Sequence, residues 1–134
     1  MKITGLDGKT YSWIPSNNTS NTDKRSKLHK LAYEVLREAF PYDRIIEEVV
    51  LPGSKTKYRN SLLRADFFIP PKGLMVEVHG SQHFKYNSFF FKNKIDFYKA
   101  QARDRDKQGW CECNDFRLVE FNEGESVEEW KKKL

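Results

Sequence analysis

Residues 63–83, LRADFFIPPKGLMVEVHGSQH, decide how this chain is read. Residues 64–69 read as a strand, with Asp66 set among apolar neighbours. Pro70-Pro71-Lys72-Gly73 reads as a turn, because proline fixes φ and glycine accepts left-handed backbone. Residues 74–79 read as a second strand that ends at Gly80. Side chains alternate along a strand, so Glu77 and His79 share one face and Val76 and Val78 take the other. Pairing the two strands through this turn brings Asp66 and Glu77 close. Two neighbouring carboxylates make a poor core, but they suit a hard cation such as Mg²⁺, which takes oxygen ligands. The loop that follows adds Gln82 and His83, so two of the chain's three histidines, His79 and His83, fall here and the third is His29. Taken singly, each of these residues fits an exposed edge or loop. The combination D-x10-E-x-H-G-x-Q-H points to a site.

The chain around this stretch has 134 residues, which suits one domain with its own core. No apolar run reaches the length of a membrane span. The first residues, MKITGLDGKTYSW, lack the apolar core of a secretory signal. Cys111 and Cys113 are too close to bridge easily, and a zinc site needs more ligands than they supply. Reduced thiols and no membrane partner make a cytoplasmic protein the expectation. The net charge of +5 permits a polyanionic partner. Basic residues gather at 24–30, 55–59, 85–107 and 131–133, and the first three groups flank the carboxylate stretch.

Outward from the centre, residues 1–22 read as a hairpin turned at Asp7-Gly8 and then a polar linker, together an accessory arm without chemistry. A helix is expected over 23–40, with Leu28, Leu31, Ala32, Val35, Leu36, Ala39 and Phe40 on its apolar stripe and His29 at the border. Thr22 or Asp23 would cap it and Pro41 would stop it. Residues 44–51 form a strand in which Glu47 and Glu48 face opposite ways. The loop 54–61 carries Lys55, Lys57, Tyr58 and Arg59, an aromatic among cations that suits nucleic-acid contact or a plain hairpin loop. Phe89-Phe90-Phe91 should pack down. A second helix is expected over 94–113, with Ile95, Tyr98 and Ala102 inward and a charge cluster at 103–107. A strand at 116–121 follows, and then a short helix opened by the capping box of Ser126 and Glu129. Val127, Trp130 and Leu134 of that helix face inward. This order gives an α/β single domain: a central mixed β-sheet flanked by helices.

The run RADFF…LMVEVHGSQHF…QARDRDKQGWCECNDFRLVEF resembles the PD-(D/E)XK nuclease superfamily, and within it the branch of very-short-patch-repair endonucleases and Vsr-like phage homing endonucleases. The matching motifs are R-x-D-F-x-x-P at 64–70, E-x-x-G-x-Q-H at 77–83 and R-D-x-x-K-x-x-x-C-x-x-N at 103–114, within a resemblance covering 26–121. The resemblance implies a restriction-endonuclease-like core at 23–134 and a metal-dependent DNA endonuclease. It implies that Asp66 and Glu77 hold Mg²⁺, or Mn²⁺, with the backbone carbonyl of Val78. His83 would activate water or protonate the leaving group, and Asp104 and Lys107 would orient it or contact phosphate. The superfamily's usual lysine is His79 here, and the usual first-helix glutamate is His29, so both histidines become candidate catalytic residues. Lys55, Lys57, Arg59, Lys85, Arg103 and Lys107 are the expected nucleic-acid contacts, and the setting would be a bacterial or phage-infected cytoplasm. Cleaving both strands would take a homodimer or two sequential nicks, and targeting could come from a partner protein. The alternative is a catalytically inactive nucleic-acid-binding module that keeps the nuclease fold.

Overall fold

The computed structural model describes residues 1–17, 26–80 and 94–134. An N-terminal hairpin pairs β1 (Lys2–Thr4) antiparallel with β2 (Thr10–Ser12) around Asp7-Gly8. Helix α1 (Lys27–Ala39) follows, then β3 (Ile46–Val50), β4 (Arg64–Ile69), β5 (Leu74–His79), α2 (Lys94–Cys113), β6 (Arg117–Asn122) and α3 (Val127–Lys132). The four longer strands form one mixed sheet in the order β3-β4-β5-β6, antiparallel at the first two junctions and parallel at the last. Parallel neighbours need a crossover, and α2 is part of it. The turn from β4 to β5 is one 3₁₀ turn at Pro70–Lys72, closed by Gly73 at φ 56°. The expected α/β domain with a central mixed sheet is therefore present.

Each sheet face has its own core. On one side Phe67, Ile69, Leu74, Val76, Val119 and Phe121 pack against Ala32, Val35 and Leu36 of α1 and Trp130 of α3. On the other, Ile46, Val49, Ala65, Phe68 and Met75 pack against Trp110 and Cys111 of α2 and against Ile3 and Trp13 from the hairpin segment. The hairpin is thus built into the core. Trp13 stacks on Phe68 at 5.3 Å between ring centroids and meets Trp110 edge-on at 5.4 Å. Asn114, just past α2, accepts from the Thr4 N–H and donates to the carbonyls of Thr4 and Trp110. Gly53 lets the backbones meet: a Cβ there would lie 2.7 Å from Gly5 Cα.

Three helix details differ from the sequence reading. The α1 cap is Ser26, whose hydroxyl accepts from the His29 N–H at 3.1 Å, and not Thr22 or Asp23. Leu31 is exposed, while His29 takes a place on the buried face with Ala32, Val35 and Leu36. On α2, Ile95 and Tyr98 are 63% and 59% exposed, and the buried residues are Phe97, Trp110 and Cys111. The middle of the face that α2 turns to the sheet is polar, as described next, so apolar spacing misjudges its orientation. The expected packing of Phe89-Phe90-Phe91 lies outside the described residues.

Candidate functional site

Strand alternation fails at one place in the sheet. Glu48 has φ 49°, left-handed backbone that bulky residues adopt rarely and at a cost of about 1–3 kcal/mol. The β3–β4 register pairs Glu47 with Phe67 and Val49 with Ala65, passing over Glu48 and Asp66 between them. The β4–β5 register ends at Phe67 with Val76, one step before Asp66 and Glu77. Ala65 and Phe68, which strict alternation would put on opposite faces, lie in the same core. The ladder is thus interrupted on both sides of Asp66. Its carboxylate takes up a freed donor, with Oδ2 accepting from the Val78 N–H at 2.8 Å.

Glu77 faces α2. It is 4% exposed, and Lys107 Nζ stands 3.0 Å from its Oε1. Burial, followed by the charge of Asp66, holds the Glu77 carboxyl well above the ordinary carboxylate range, and Lys107 opposes both. Burial by itself would lower Lys107, but Glu77, Asp66 and Asp104 together carry its ammonium above the ordinary lysine value. Glu77 Oε1 is buried and accepts no well-aligned hydrogen bond among the described residues, despite the nearby ammonium. A cation beside Asp66 and Glu77 would relieve both the carboxylate repulsion and the buried oxygen, so the donor set fits a hard divalent ion. Asp66, Glu77 and the Val78 carbonyl would hold it. Among the described residues, no group of three or more His, Cys, Asp or Glu side chains gathers to complete a metal shell.

The other candidates divide by position. Asp104 acts electrostatically on Lys107, one turn away on α2. His79 is buried, with Nδ1 3.9 Å from Glu120 Oε2. His29 lies on the face covered by α1, with Nε2 3.2 Å from Glu47 Oε1 and its ring 4.4 Å from that of Phe67. The sequence left Glu47 and Glu48 undecided; Glu47 is the buried partner of His29, a pairing across two elements that no local pattern announces. His83 and Lys85 lie outside the described residues. Lys55, Lys57 and Arg103 are exposed. Arg59 is not free for phosphate: its guanidinium pairs with Asp106 at 2.7 Å and donates to the Ser54 carbonyl. Asp106, read from sequence as one member of a solvated charge cluster, is thereby an anchor for the 54–61 loop. Beneath the site, burial and then the Glu77 and Glu112 charges push the Cys111 thiol up to about 12.

The fold and site define a small α/β domain with a carboxylate pair and a lysine set against an interrupted mixed sheet. Two curated viral proteins are similar to part of it. "Uncharacterized protein 307L" of Invertebrate iridescent virus 6 is 38% identical over 69 residues, covering 52% of this chain and 35% of that protein. "Uncharacterized protein 033L" of Invertebrate iridescent virus 3 is 41% identical over 58 residues, covering 43% of this chain and 30% of that protein. The chain thus matches about a third of each relative's length. No protein-family model and no solved structure matches it. Among the described residues, no helix is long and apolar enough to cross a membrane.

Proposed function

We propose that this domain is a divalent-metal-dependent DNA endonuclease of the PD-(D/E)XK kind. The observation that carries the reading is the meeting of Asp66, Glu77 and Lys107 where the sheet ladder is interrupted. A protein that needed only stability would gain little from desolvating a carboxylate beside another one. The arrangement has a use when a cation must be held where a phosphate reacts.

The residues divide the work of phosphodiester hydrolysis. The Val78 N–H fixes Asp66 Oδ2 and so sets where that carboxylate points. Asp66 supplies negative charge, and Glu77, held above the ordinary carboxylate range by burial and Asp66, would join it as an oxygen ligand once a cation offsets the repulsion. Mg²⁺ or Mn²⁺ bound there would polarise the phosphate and acidify a water. Lys107 stays protonated near neutral pH and holds a fixed positive charge beside the acids, where a phosphate oxygen would gain negative character. It also puts an ammonium next to Glu77, as the superfamily's lysine would, but from α2 and not from the Glu77 strand. His83 is the proposed proton carrier of this reading, on the resemblance alone. DNA is the proposed partner, with a second copy or sequential nicks for two-strand cleavage and a partner protein for targeting.

One observation favours the second reading, a nucleic-acid-binding module without activity. Among the described residues, no three His, Cys, Asp or Glu side chains gather as a metal shell, and Lys107 already pairs with Glu77. Metal-dependent nicking of supercoiled DNA that is lost in Asp66→Asn separates the two.

A further inference from the structure

The 54–61 loop is braced from within. Ser54 is fully buried; its hydroxyl donates to the Leu51 carbonyl at 2.6 Å and accepts from the Leu63 N–H at 2.7 Å. Thr56 and Arg59 exchange backbone hydrogen bonds at 3.0 and 3.2 Å, and Arg59 is tied to Asp106 of α2. This tight turn carries Tyr58 at its tip, 90% exposed, with Lys57 Nζ 5.9 Å from the ring centroid. An aromatic residue this exposed on a braced turn buries almost nothing for the fold. Between the turn and α2 lies a groove of about 560 Å³, lined by Tyr58, Arg59, Asn60, Lys99, Arg103 and Asp106.

The charge of the groove selects its occupant. Arg59 and Asp106 cancel each other, which leaves Lys99 and Arg103 exposed along one wall and Lys57 beside the ring. The groove also leads to the site, because Arg103 and Lys107 are one helical turn apart on α2 and Lys107 touches Glu77. An anion with a flat aromatic body fits these features, and a nucleotide has both. A base inside a paired duplex keeps its faces against its neighbours and parting them costs free energy, so the ring stacks most readily on an unpaired base.

Resting on the nuclease reading above, we propose that Tyr58 stacks an unpaired base of the substrate strand while Lys99 and Arg103 hold the flanking phosphates. The domain then selects DNA that is single-stranded or locally unpaired next to the bond it cuts.

The test is fluorescence anisotropy in EDTA, so that binding is read without cleavage. The probes are a short labelled single strand, a duplex containing an unpaired stretch, and the fully paired duplex. Tyr58→Ala should bind the first two about tenfold more weakly, the magnitude of a lost base–aromatic stack, with little change on the paired duplex. Tyr58→Phe should bind like wild type. Lys99→Ala and Arg103→Ala should each reduce the salt dependence on the single strand by about 0.7 in log–log slope. Tyr58→Ala that binds all three probes like wild type, or loses equally on all three, overturns this proposal and leaves the nuclease reading standing. Wild type that binds none of the probes overturns both.

Discussion

Lys107 of α2 reaches across the sheet face to within 3.0 Å of Glu77 on β5. Trp110 and Cys111, one turn further along α2, share a core with Met75 and Phe68 on the same face of the sheet. The polar pair and the apolar core are therefore consecutive turns of one interface, and the position of the ammonium is set by the burial of the indole.

Removing Lys107 alone should destabilise the fold. Lys107→Met leaves Glu77 buried without its counter-charge, at a cost of about 2–4 kcal/mol near pH 8, because breaking one side of a buried pair exposes the other to its full desolvation penalty. The Glu77→Gln and Lys107→Met double variant should recover most of that loss. Urea titrations of the four proteins check it; a double variant no more stable than Lys107→Met would contradict the pairing.

Glu77 also sets a pH dependence. Its folded value lies well above the ordinary carboxyl value of 4.5, so the folded state binds its proton more tightly than the unfolded state. Its contribution to stability is complete below the unfolded value and is lost as pH rises through the folded one. In EDTA, Glu77→Gln should therefore gain on wild type as pH rises above about 4.5, where the unfolded carboxyl ionises. Added Mg²⁺ should narrow the gap by favouring the ionised wild type. Thermal melts of both proteins across pH 4–9, on the order of the carboxylate-to-lysine titration range, check it; a gap that does not change with pH would contradict the raised value.

The two thiols should react differently. Cys113 is exposed, whereas Cys111 is buried with its thiol pushed up to about 12. Iodoacetamide near pH 8 should modify native protein once, at Cys113, and denatured protein twice. Peptide mass spectrometry reads the outcome, and rapid labelling of Cys111 in the native protein would contradict its place under the site.

Asn114→Ala should loosen the hairpin. Asn114 satisfies both backbone groups of Thr4 and the Trp110 carbonyl, and stranding them costs about 1–3 kcal/mol. The amides of residues 2–12 should then exchange hydrogen faster than those of the central sheet. Uniform loss of protection across the whole chain would contradict a local tie.

The bounds of β4, β5 and α2 were legible because each rests on a local rule: alternation, a Pro-Pro-Lys-Gly turn and helical spacing. The approach of Asp66 to Glu77 followed from that turn. The inward face of α2 was not legible, since Asp104 and Lys107 occupy the stripe that apolar spacing is used to find. Trp13 in the core, Glu47 against His29 and Arg59 against Asp106 were not legible either; each joins elements far apart in sequence. The left-handed backbone at Glu48 has no signature in residue type, glycine being the usual occupant of such a φ.

Metal-dependent DNA cleavage, as proposed, depends on the Asp66–Glu77 pair. The direct measurement is conversion of supercoiled plasmid, with mismatched and branched DNA alongside, in Mg²⁺, Mn²⁺ or EDTA. Asp66→Asn, which can still accept the Val78 N–H, and Glu77→Gln are run beside wild type. Open-circular or linear product is expected from wild type with metal, none in EDTA, and none from either variant although both still bind DNA. Cleavage that survives Asp66→Asn, or a wild type inert on all three substrates with both metals, would contradict it.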